Sequence, residues 1–366
     1  MEDVRYMRQN KIKVLHLLQS GHFSGAENVA CKIIEIFKDD EVFEMAYCSK
    51  NGQIGKIMEQ KNILYYPMSH LCLSELKRVV NLFQPDIIHA HDATASVVST
   101  MLIKNYPVLS HLHSNPPWIK KVGRNSIMYF ISSLRIKNIL TVSNSIMDEY
   151  IFGTLMLNKT KVITNPIDTN AIRIKARDAK CSKKSYDVVY IGRLARPKNP
   201  FKFIELIKQL KGIIPNISAV MIGDGDLRQG CEDLINKLSL HNNITLTGFM
   251  ENPYGILEKS KILCVTSKWE GYGLVAVEAM ALGRPVVCPP VGGLPGLVKD
   301  SCGKVCDSDN VFIKEMEQLL LDKEYWRNKS EGATIQAELL DNIPDYKESI
   351  NNIYSQMLGV KSIYDC

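Results

Sequence analysis

The fold is decided by the stretch Ser267–Pro290, which reads S-K-W-E-G-Y-G-L-V-A-V-E-A-M-A-L-G-R-P-V-V-C-P-P. An apolar run just before it, Ile262–Val265, predicts a strand, and the glycines within Glu270–Gly273 predict a tight turn. Leu274–Leu282 then has the composition of a helix, which Gly283 ends before a second apolar run begins. A strand, a turn and a helix in this order are the repeating unit of a parallel α/β sheet.

The same turn predicts a seat for a phosphate group. Backbone N–H groups at the start of a helix lack intrahelical partners and lie at the positive end of the helix dipole. Glycines at Gly271 and Gly273 keep side chains out of the way. Glu278 lies one turn after Leu274 on the same helix face, about 6 Å further along the axis. Glu270 at the turn and Glu278 in the helix are therefore expected to flank a bound phosphate.

The composition is that of an ordinary globular protein with two domains. A length of 366 residues exceeds one typical core, and 45% apolar with 23% charged residues is usual for soluble chains. The net charge of +6 permits an anionic ligand or membrane surface and does not call for nucleic acid. The ten cysteines lack motif spacing, which favours a reducing, cytoplasmic location. Met1–Lys11 is polar and no apolar run could span a bilayer, so we expect neither a signal peptide nor an integral membrane protein.

Apolar runs alternate with helical patterns along the chain, which predicts parallel, doubly wound sheets. Strands are expected at Lys13–Leu18, Phe43–Cys48, Ile63–Pro67, Ile87–His89, Val108–Leu112, Ile139–Val142, Val162–Pro166, Asp187–Ile191, Ala219–Ile222, Ile244–Leu246, Ile262–Val265 and Val286–Cys288. The basic segment Thr169–Ser185 is interpreted as a solvated linker at the domain boundary. Beyond Asp309 the pattern is helical, with a closing helix at Tyr346–Leu358.

Two cations follow the first strand of the second half. Arg193 comes directly after that strand, and Lys198 precedes a helix start at Asn199. The carboxyl ends of parallel strands are where open α/β sheets bind ligands, and arginine can hold a diphosphate with two parallel hydrogen bonds. An exposed basic loop is the alternative, as is a purely structural role for Glu270 and Glu278.

The two glutamates also admit a glycosidase mechanism with paired carboxylates. We disfavour it, because cations and a helix dipole lower the pKa of a nearby acid and make it a poor proton donor. Glu270 and Glu278 are better suited to accept hydrogen bonds from sugar hydroxyls. The turn Gly223–Gly225 follows another strand of this half, lacks the dinucleotide fingerprint, and is expected to line the same cleft.

The first half has its own candidate residues at strand ends. Gly21 and Gly25 form a turn without G-x-G-x-x-G spacing, so a ligand loop and a plain turn both remain open. His89 and His91, like His111 and His113, alternate along extended segments and so share a face. Two such pairs on neighbouring strands could bind a metal, but buried histidines held by hydrogen bonds are commoner than metal ligands.

The segment 104–137 lies within a region that has no acidic residue from Ala93 to Met147. Its cations are interspersed with the aromatic residues Trp118, Tyr129 and Phe130, and they are Lys104, Lys120, Lys121, Arg124, Arg135 and Lys137. Such a segment could contact an anionic membrane surface or bind an anionic acceptor. A solvated helix face is the alternative.

Taken together, these motifs resemble glycosyltransferase family 4, which comprises retaining sugar-nucleotide transferases. The most specific one is E-G-Y-G-L-V-A-V-E-A-M-A-L-G-R-P-V-V at Glu270–Val287, with its two glutamates eight positions apart. The others are S-G-A-E at Ser24–Glu27, P-D-I-I-H-A-H at Pro85–His91, L-H-S at Leu112–Ser114, T-V-S-N-S at Thr141–Ser145, I-T-N-P-I-D at Ile163–Asp168, G-R-L-A-R-P-K-N at Gly192–Asn199, G-D-G at Gly223–Gly225 and L-T-G-F at Leu246–Phe249.

The resemblance implies the α/β GT-B fold, in which two doubly wound, Rossmann-like domains face each other across a cleft. Residues 1–166, with a returning helix at about 346–366, would form the acceptor-side domain, and residues 167–345 the donor domain. The residues that the family pattern assigns to the donor are Gly25, Arg193, Lys198, Gly273, Leu274, Val275 and Glu278. In this scheme Glu278 holds the ribose, Glu270 holds the hydroxyls of the donor sugar, and His113 supports the charge that develops at the anomeric carbon.

The activity implied is transfer of a hexose, with retention, from a nucleotide-diphosphate sugar such as a UDP-sugar to a glycan or lipid-linked acceptor. Surface polysaccharides (a capsule or lipopolysaccharide) and glycolipids are the expected products. The family's front-face reaction lets a donor phosphate oxygen take the acceptor proton, and no metal or other cofactor is expected because Arg193 and Lys198 supply the positive charge. A hydrolysing nucleotide-sugar epimerase and a non-catalytic partner subunit are the alternatives. The location expected is cytoplasmic, at the inner face of the membrane if the basic segment docks there.

Overall fold

The computed structural model describes residues 11–102, 104–179 and 184–360 of the chain. The chain divides into two compact units, the first of residues 1–166 with 343–366 and the second of residues 167–342. The returning segment begins at Ile343, and the sequence placed its start at about residue 346. Our expectations for residues 1–10, 180–183 and 361–366 lie outside the described residues.

The first unit contains a seven-stranded parallel sheet in the order β3-β2-β1-β4-β5-β6-β7. Its strands are β1 (Ile12–Leu17), β2 (Phe43–Lys50), β3 (Tyr65–Met68), β4 (Ile87–Ala90), β5 (Val108–Leu112), β6 (Asn138–Thr141) and β7 (Thr160–Val162). The central strands β1, β4 and β5 are buried on both faces except at Lys13, as expected for a parallel sheet covered by helices on both sides, whereas the edge strands β3 and β7 are partly exposed.

The helices of the first unit fall between these strands. They are α1 (Gly25–Ile36), α2 (Ile54–Gln60), α3 (Leu73–Phe83), α4 (Ala93–Ser99), α5 (Arg124–Ser133), α6 (Ser145–Glu149) and the last helix of the chain, α15 (Ile343–Leu358), with 3-10 turns at Thr100–Leu102, Pro117–Lys120 and Gly153–Lys159. Helix α15 returns to this unit, where Tyr354 is buried against Phe43 of β2. Among the described residues, no helix combines the length and the apolarity that crossing a membrane requires.

The second unit contains a six-stranded parallel sheet in the order β10-β9-β8-β11-β12-β13. Its strands are β8 (Tyr186–Ile191), β9 (Ala219–Ile222), β10 (Ile244–Gly248), β11 (Ser260–Cys264), β12 (Val286–Cys288) and β13 (Gly303–Val305). Its helices are α7 (Thr169–Asp178), α8 (Pro200–Lys211), α9 (Arg228–Lys237), α10 (Tyr254–Glu258), α11 (Leu274–Ala281), α12 (Leu294–Leu297), α13 (Asp309–Leu321) and α14 (Lys323–Leu340), with a 3-10 turn at Arg196–Lys198. Phe203 of α8 and Phe312 of α13 belong to the buried core on this sheet.

Both sheets reverse their strand order at one point. In the first unit this point lies between β1 and β4, and in the second between β8 and β11. Loops that leave the carboxyl ends of such a strand pair diverge to opposite sides and open a crevice, where doubly wound sheets bind ligands. The two crevices contain most of the residues that the sequence singled out.

Two sequence expectations are wrong in detail. The strand expected at Val162–Pro166 pairs earlier, at Thr160–Val162, because Pro166 has no N–H to donate to the sheet. The expected linker contains helix α7, in which the Asp168 carboxylate accepts from Ala171 N–H at 2.8 Å. Thr169, Ile172 and Ala176 are its buried stripe, and the charges between them obscured that period.

Strand β13 was not anticipated, because Gly303–Val305 has only three residues, one of them a lysine, and is too short to show a period. All eight cysteines of the described residues are free thiols. Seven of them are buried, and burial raises the pKa of Cys31 and of Cys306 to about 12. These thiols therefore behave as small apolar side chains.

Candidate functional site

Two loops meet at the carboxyl edge of the second sheet, one following β8 and the other following β11. Lys268 N–H donates to the Pro197 carbonyl at 2.8 Å, and the Thr266 hydroxyl donates to the Lys198 carbonyl at 3.1 Å. Because the backbones are joined in this way, the side chains that the loops carry keep a defined arrangement.

Lys198 and Glu270 form an ion pair across these loops. Nζ of Lys198 lies 2.5 Å from Oε2 of Glu270, and the Ser267 hydroxyl donates to the same oxygen at 3.1 Å. The exposed fractions of the two side chains are 31% and 14%, so a ligand can reach the pair although water only partly surrounds it. The family pattern gave Lys198 and Glu270 separate tasks, and their direct contact was not anticipated.

Arg193 lies in the loop after β8, and its side chain is exposed. The G-D-G turn supports this loop, because Leu194 N–H donates to the Asp224 carbonyl at 2.9 Å. An added Cβ would lie 2.0 Å from the Gly192 carbonyl oxygen at Gly223 and 2.5 Å from the Leu194 carbonyl oxygen at Gly225. Glycine is therefore required at both positions for the turn to approach the Arg193 loop so closely.

The turn before helix α11 has the geometry of a phosphate seat. Gly273 has φ of 105°, a value that favours glycine, and a Cβ there would lie 2.6 Å from Cδ2 of Leu294. The next two residues, Leu274 and Val275, are half-buried, and so is Glu278 one turn later, whereas the remaining helix residues are buried. Their N–H groups and the Glu278 carboxylate thus share the accessible face of the helix.

Tyr254 of helix α10 positions Glu278. Its hydroxyl donates to the Glu278 carboxylate at 3.0 Å. Burial and the neighbouring carboxylate both raise the pKa of Tyr254, so the phenol keeps its proton and remains a donor. The sequence offered no pattern that would have singled out this tyrosine.

Gly292 and Gly293 also belong to this site, although they follow the motif Ser267–Pro290 from which the sequence analysis began. Gly293 N–H donates to the Gly271 carbonyl at 3.0 Å. Gly292 has φ of 57°, and a Cβ there would lie 1.5 Å from the Glu270 carbonyl oxygen. The pair therefore holds the backbone of the turn that carries Glu270.

We expect Gly292→Ala to lower the free energy of unfolding by about 2–4 kcal/mol, because it combines a positive φ with a backbone overlap. For a unit of this size that corresponds to a fall of several degrees, roughly 5–15 °C, in the thermal midpoint. The matched control is Gly296→Ala, since a Cβ at Gly296 meets nothing within 4 Å. Equal midpoints for the two variants in differential scanning calorimetry would contradict this reading of the turn.

The first unit has a cluster of five histidines at the carboxyl edge of its sheet, four of them buried and His113 half-buried. They lie in three adjacent strands or directly follow them, and they include His16 of β1, which the sequence analysis overlooked; the members are His16, His89, His91, His111 and His113. Alternate spacing does place each predicted pair side by side, with ring centroids 4.1 Å apart for both pairs.

The cluster consists of two hydrogen-bonded rows. In one, His91 bridges the other two rings, with nitrogen distances of 2.9 Å to His16 and 2.9 Å to His113. In the other, His89 lies 3.2 Å from a nitrogen of His111 and 2.8 Å from the hydroxyl of Tyr354 on α15. The last helix of the chain is thus bonded directly to the cluster.

Burial keeps these rings neutral. It lowers the pKa of His16 and of His113 to about 3, and it lowers the pKa of the other three well below the usual value. A neutral imidazole has one N–H, so His91 must donate through one nitrogen and accept through the other. The proton position on His113 is therefore tied to that on His16.

A metal site is the other arrangement that five histidines suggest. Nitrogens of His91, His111 and His113 lie within 4.8 Å of one another. Tetrahedral Zn²⁺ would hold its ligand nitrogens about 3.3 Å apart, all directed at one point. Here the close nitrogens are directed at each other in pairs, which is the geometry of hydrogen-bonded rings.

The glycine turn of the first unit separates into two roles. Gly21 is buried, and a Cβ there would lie 2.6 Å from the Asn51 carbonyl oxygen, so packing requires this glycine. Gly25 is exposed, with nothing within 4 Å of an added Cβ, and it opens helix α1. The Asp92 carboxylate accepts from Gln19 N–H at 2.9 Å and so joins this turn to the loop after β4.

Residues 172–335 match the family model described as glycosyl transferases group 1, and residues 38–171 match that described as glycosyltransferase family 4. The chain belongs to the group 1, family 4-like glycosyltransferases. It is therefore a transferase enzyme with the two-domain GT-B fold, as the sequence resemblance predicted.

Individual proteins with similar sequences are also named as glycosyltransferases. An uncharacterized glycosyltransferase of Methanocaldococcus jannaschii is 27% identical over 68% of this chain and 69% of its own length. A UDP-Gal:alpha-D-GlcNAc-diphosphoundecaprenol alpha-1,3-galactosyltransferase of Escherichia coli is 22% identical over 80% and 82%, respectively. Among solved structures, HepE of Anabaena in complex with UDP-glucose has a TM-score of 0.82 at 22% identity, covering 94% of this chain and 100% of its own. This structural likeness establishes the fold of the glycosyltransferase.

Proposed function

We propose that this glycosyltransferase moves a hexose, with retention, from a UDP-sugar to a glycan or lipid-linked acceptor in surface polysaccharide or glycolipid synthesis. The observation that carries the proposal is the Lys198–Glu270 pair beside the glycine turn at Gly273, at the strand-order reversal of the second sheet. A cation, an acid and free N–H groups in one crevice suit a diphosphate joined to a sugar. The names of the Escherichia coli and Anabaena proteins support a UDP-sugar, and the former also supports a lipid diphosphate acceptor.

The second unit binds the donor in this scheme. Arg193, Lys198 and the N–H groups of Gly273, Leu274 and Val275 bind the diphosphate and stabilise the charge that builds on it as the sugar departs. Glu278, oriented by the Tyr254 hydroxyl, accepts from the ribose hydroxyls. Glu270 accepts from hydroxyls of the transferred sugar. We give no metal a role, because the two cations already supply positive charge at the diphosphate.

The first unit contributes Gly25 and His113. Gly25 presents an unobstructed helix N-terminus that assists in binding the diphosphate. His113 supports the positive charge at the anomeric carbon as a neutral ring, through its lone pair and dipole, because burial lowers its pKa to about 3. It is therefore not assigned to accept the acceptor proton, and a donor phosphate oxygen takes that proton instead.

A panel of sugar nucleotides tests the proposal directly. At a concentration of about 100 Kd, a UDP-hexose adds about 2.7 kcal/mol of stability, which raises the thermal midpoint of a unit of this size by roughly 5–10 °C. The selected donor, supplied with a lipid diphosphate sugar acceptor, should yield a product whose anomeric proton coupling in NMR matches that of the donor.

Three outcomes would contradict the proposal. Consumption of the donor at the same rate without acceptor would indicate a hydrolysing epimerase. Absence of a midpoint shift with every sugar nucleotide would indicate a non-catalytic subunit. Inversion of the anomeric coupling would exclude the front-face reaction.

A further inference from the structure

Helix α5 of the first unit is inside out compared with an ordinary surface helix. Surface helices bury their apolar stripe and expose their polar one. In α5 the buried residues are Ser126, Tyr129, Ser132 and Ser133. The exposed ones include Ile127, Met128 and Ile131, followed directly by Leu134, with exposed fractions of 40%, 40%, 58% and 65%.

Three buried hydroxyls of this helix, those of Ser126, Tyr129 and Ser133, have hydrogen-bond partners, which favours the observed orientation. The Ser126 hydroxyl donates to the Lys121 carbonyl at 2.7 Å, and the Ser133 hydroxyl donates to the Phe130 carbonyl at 2.6 Å. The Tyr129 hydroxyl lies 2.9 Å from the Ser110 hydroxyl on strand β5. Rotating the helix to bury its apolar side would leave these hydroxyls to be solvated anew and would break the bond to the sheet.

More exposed apolar residues lie beside the helix. The segment after α6 packs against α5 through Phe152, whose ring stacks on Phe130 at 4.8 Å between centroids. Ile151, Leu155 and Leu157 of this segment are 46%, 65% and 55% exposed. We call these exposed residues, together with the cations at the two ends of α5, the apolar-basic face. Its members are Ile127, Met128, Ile131, Leu134, Ile151, Leu155 and Leu157 with Lys121, Arg124, Arg135 and Lys137.

The cations lie at both ends of helix α5. Lys121 and Arg124 lie at its beginning, Arg135 and Lys137 follow its end, and all four are exposed. Lys120 is paired with Glu149 at 3.1 Å, beyond the acid-free region. Of the aromatic residues that the sequence placed among these cations, Tyr129 is buried and Trp118 and Phe130 are half-buried, and the exposed apolar side chains there are not aromatic.

We propose that the apolar-basic face docks on the surface of an anionic lipid bilayer. An apolar stripe with cations at both ends matches a layer of acyl chains beneath a plane of phosphate headgroups. The aliphatic side chains would enter the boundary of the acyl region while the lysines and arginines stay among the headgroups. Docking through these residues does not depend on whether the acceptor is lipid-linked.

Vesicle co-sedimentation of the full chain tests the docking. We expect binding to phosphatidylcholine vesicles that contain phosphatidylglycerol, and much weaker binding to phosphatidylcholine alone or at high salt.

Ile131→Gln should weaken binding about tenfold, because one aliphatic side chain no longer enters the lipid. The matched control is Leu82→Gln on helix α3, a residue that is 63% exposed and lies outside the face; it should bind as the unaltered chain does. Both side chains are exposed, so neither change threatens the fold, and equal thermal midpoints would verify this.

Several results would overturn the proposal. One is the absence of binding to anionic vesicles, and another is an equal loss of binding in Ile131→Gln and Leu82→Gln. A concentration-dependent dimer that dissociates in Ile131→Gln, measured by analytical ultracentrifugation without lipid, would assign the face to a second copy of the chain instead.

Discussion

Lys198→Ala is expected to lower kcat/KM for sugar transfer by about 10²- to 10³-fold, the usual effect of removing one group that stabilises charge in a transition state. The lysine is the cation that the two joined loops hold at the crevice of the second sheet, 2.5 Å from Glu270. The thermal midpoint should change little, because a partly exposed ion pair contributes only about 0–1 kcal/mol to folding.

The matched control is Arg196→Ala. Arg196 is two positions away in the same loop, is exposed, and carries the same charge. We expect Arg196→Ala to retain at least about one third of the activity, since a screened charge at this distance contributes little. Similar losses in both variants would mean that the loop acts through its net charge, and the specific role of Lys198 would be rejected.

A double variant separates two roles for Lys198. If the lysine only neutralises Glu270, then Lys198→Ala with Glu270→Gln should recover most of the activity, because neither charge is left alone. If Lys198 binds the diphosphate, as we propose, the double variant should remain at least as impaired as Lys198→Ala. The comparison is a double-mutant cycle on kcat/KM, with each variant's midpoint recorded.

Lowering the pH from about 7 to about 5 is expected to destabilise the first unit by several kcal/mol. The folded-state pKa of His16 and of His113 is about 3, below the ordinary value of 6.5. Between these two pKa values the histidines are protonated in the unfolded chain and neutral in the folded chain. The free energy of unfolding therefore decreases as the pH falls below 6.5 towards 3. At pH 5 each of these two histidines costs about 2 kcal/mol, and His89, His91 and His111 act in the same direction.

Two buried acids near the first crevice act in the opposite direction. Burial raises the pKa of Glu27 and of Asp92, so their folded forms take up protons more readily as the pH falls. Five histidines oppose two acids. A net loss of stability is therefore expected.

Urea unfolding of the full chain at several pH values measures this effect, and NMR of the histidine ring protons identifies its source. Five of the eight ring signals should remain constant between about pH 7 and about pH 5 while the protein stays folded. His22, His70 and His241 are exposed and lie outside the network. An unfolding free energy that is constant over this range, or titration of the five network rings, would contradict the neutral network.

The sequence by itself determined the class of fold and the family, and it named most of the residues of the candidate site. Strands could be predicted from short apolar runs, and helices from apolar residues that recur with a period of 3.6. Both patterns are local properties of the chain. The candidate site could be predicted because helix starts and the carboxyl ends of parallel strands are favoured positions for binding anions. The glycine turn, the two glutamates and the cations after β8 all lie at such positions. Helix α7 escaped, since lysines and arginines on its exposed side masked its buried stripe.

The tertiary structure alone decided which side chains touch. Lys198 and Glu270 are far apart in sequence, and only the adjacency of β8 and β11 joins their loops. His16 became part of the histidine network because β1 lies beside β4, and Tyr254 and Gly292 became visible only through their contacts with Glu278 and Glu270. The exposure of the apolar side of α5 could not be predicted either. A helical period shows that a helix has an apolar side, but it does not show whether that side faces the core or the solvent. Sequence periodicity is local, whereas contact and burial depend on the packing of strands and helices from distant parts of the chain.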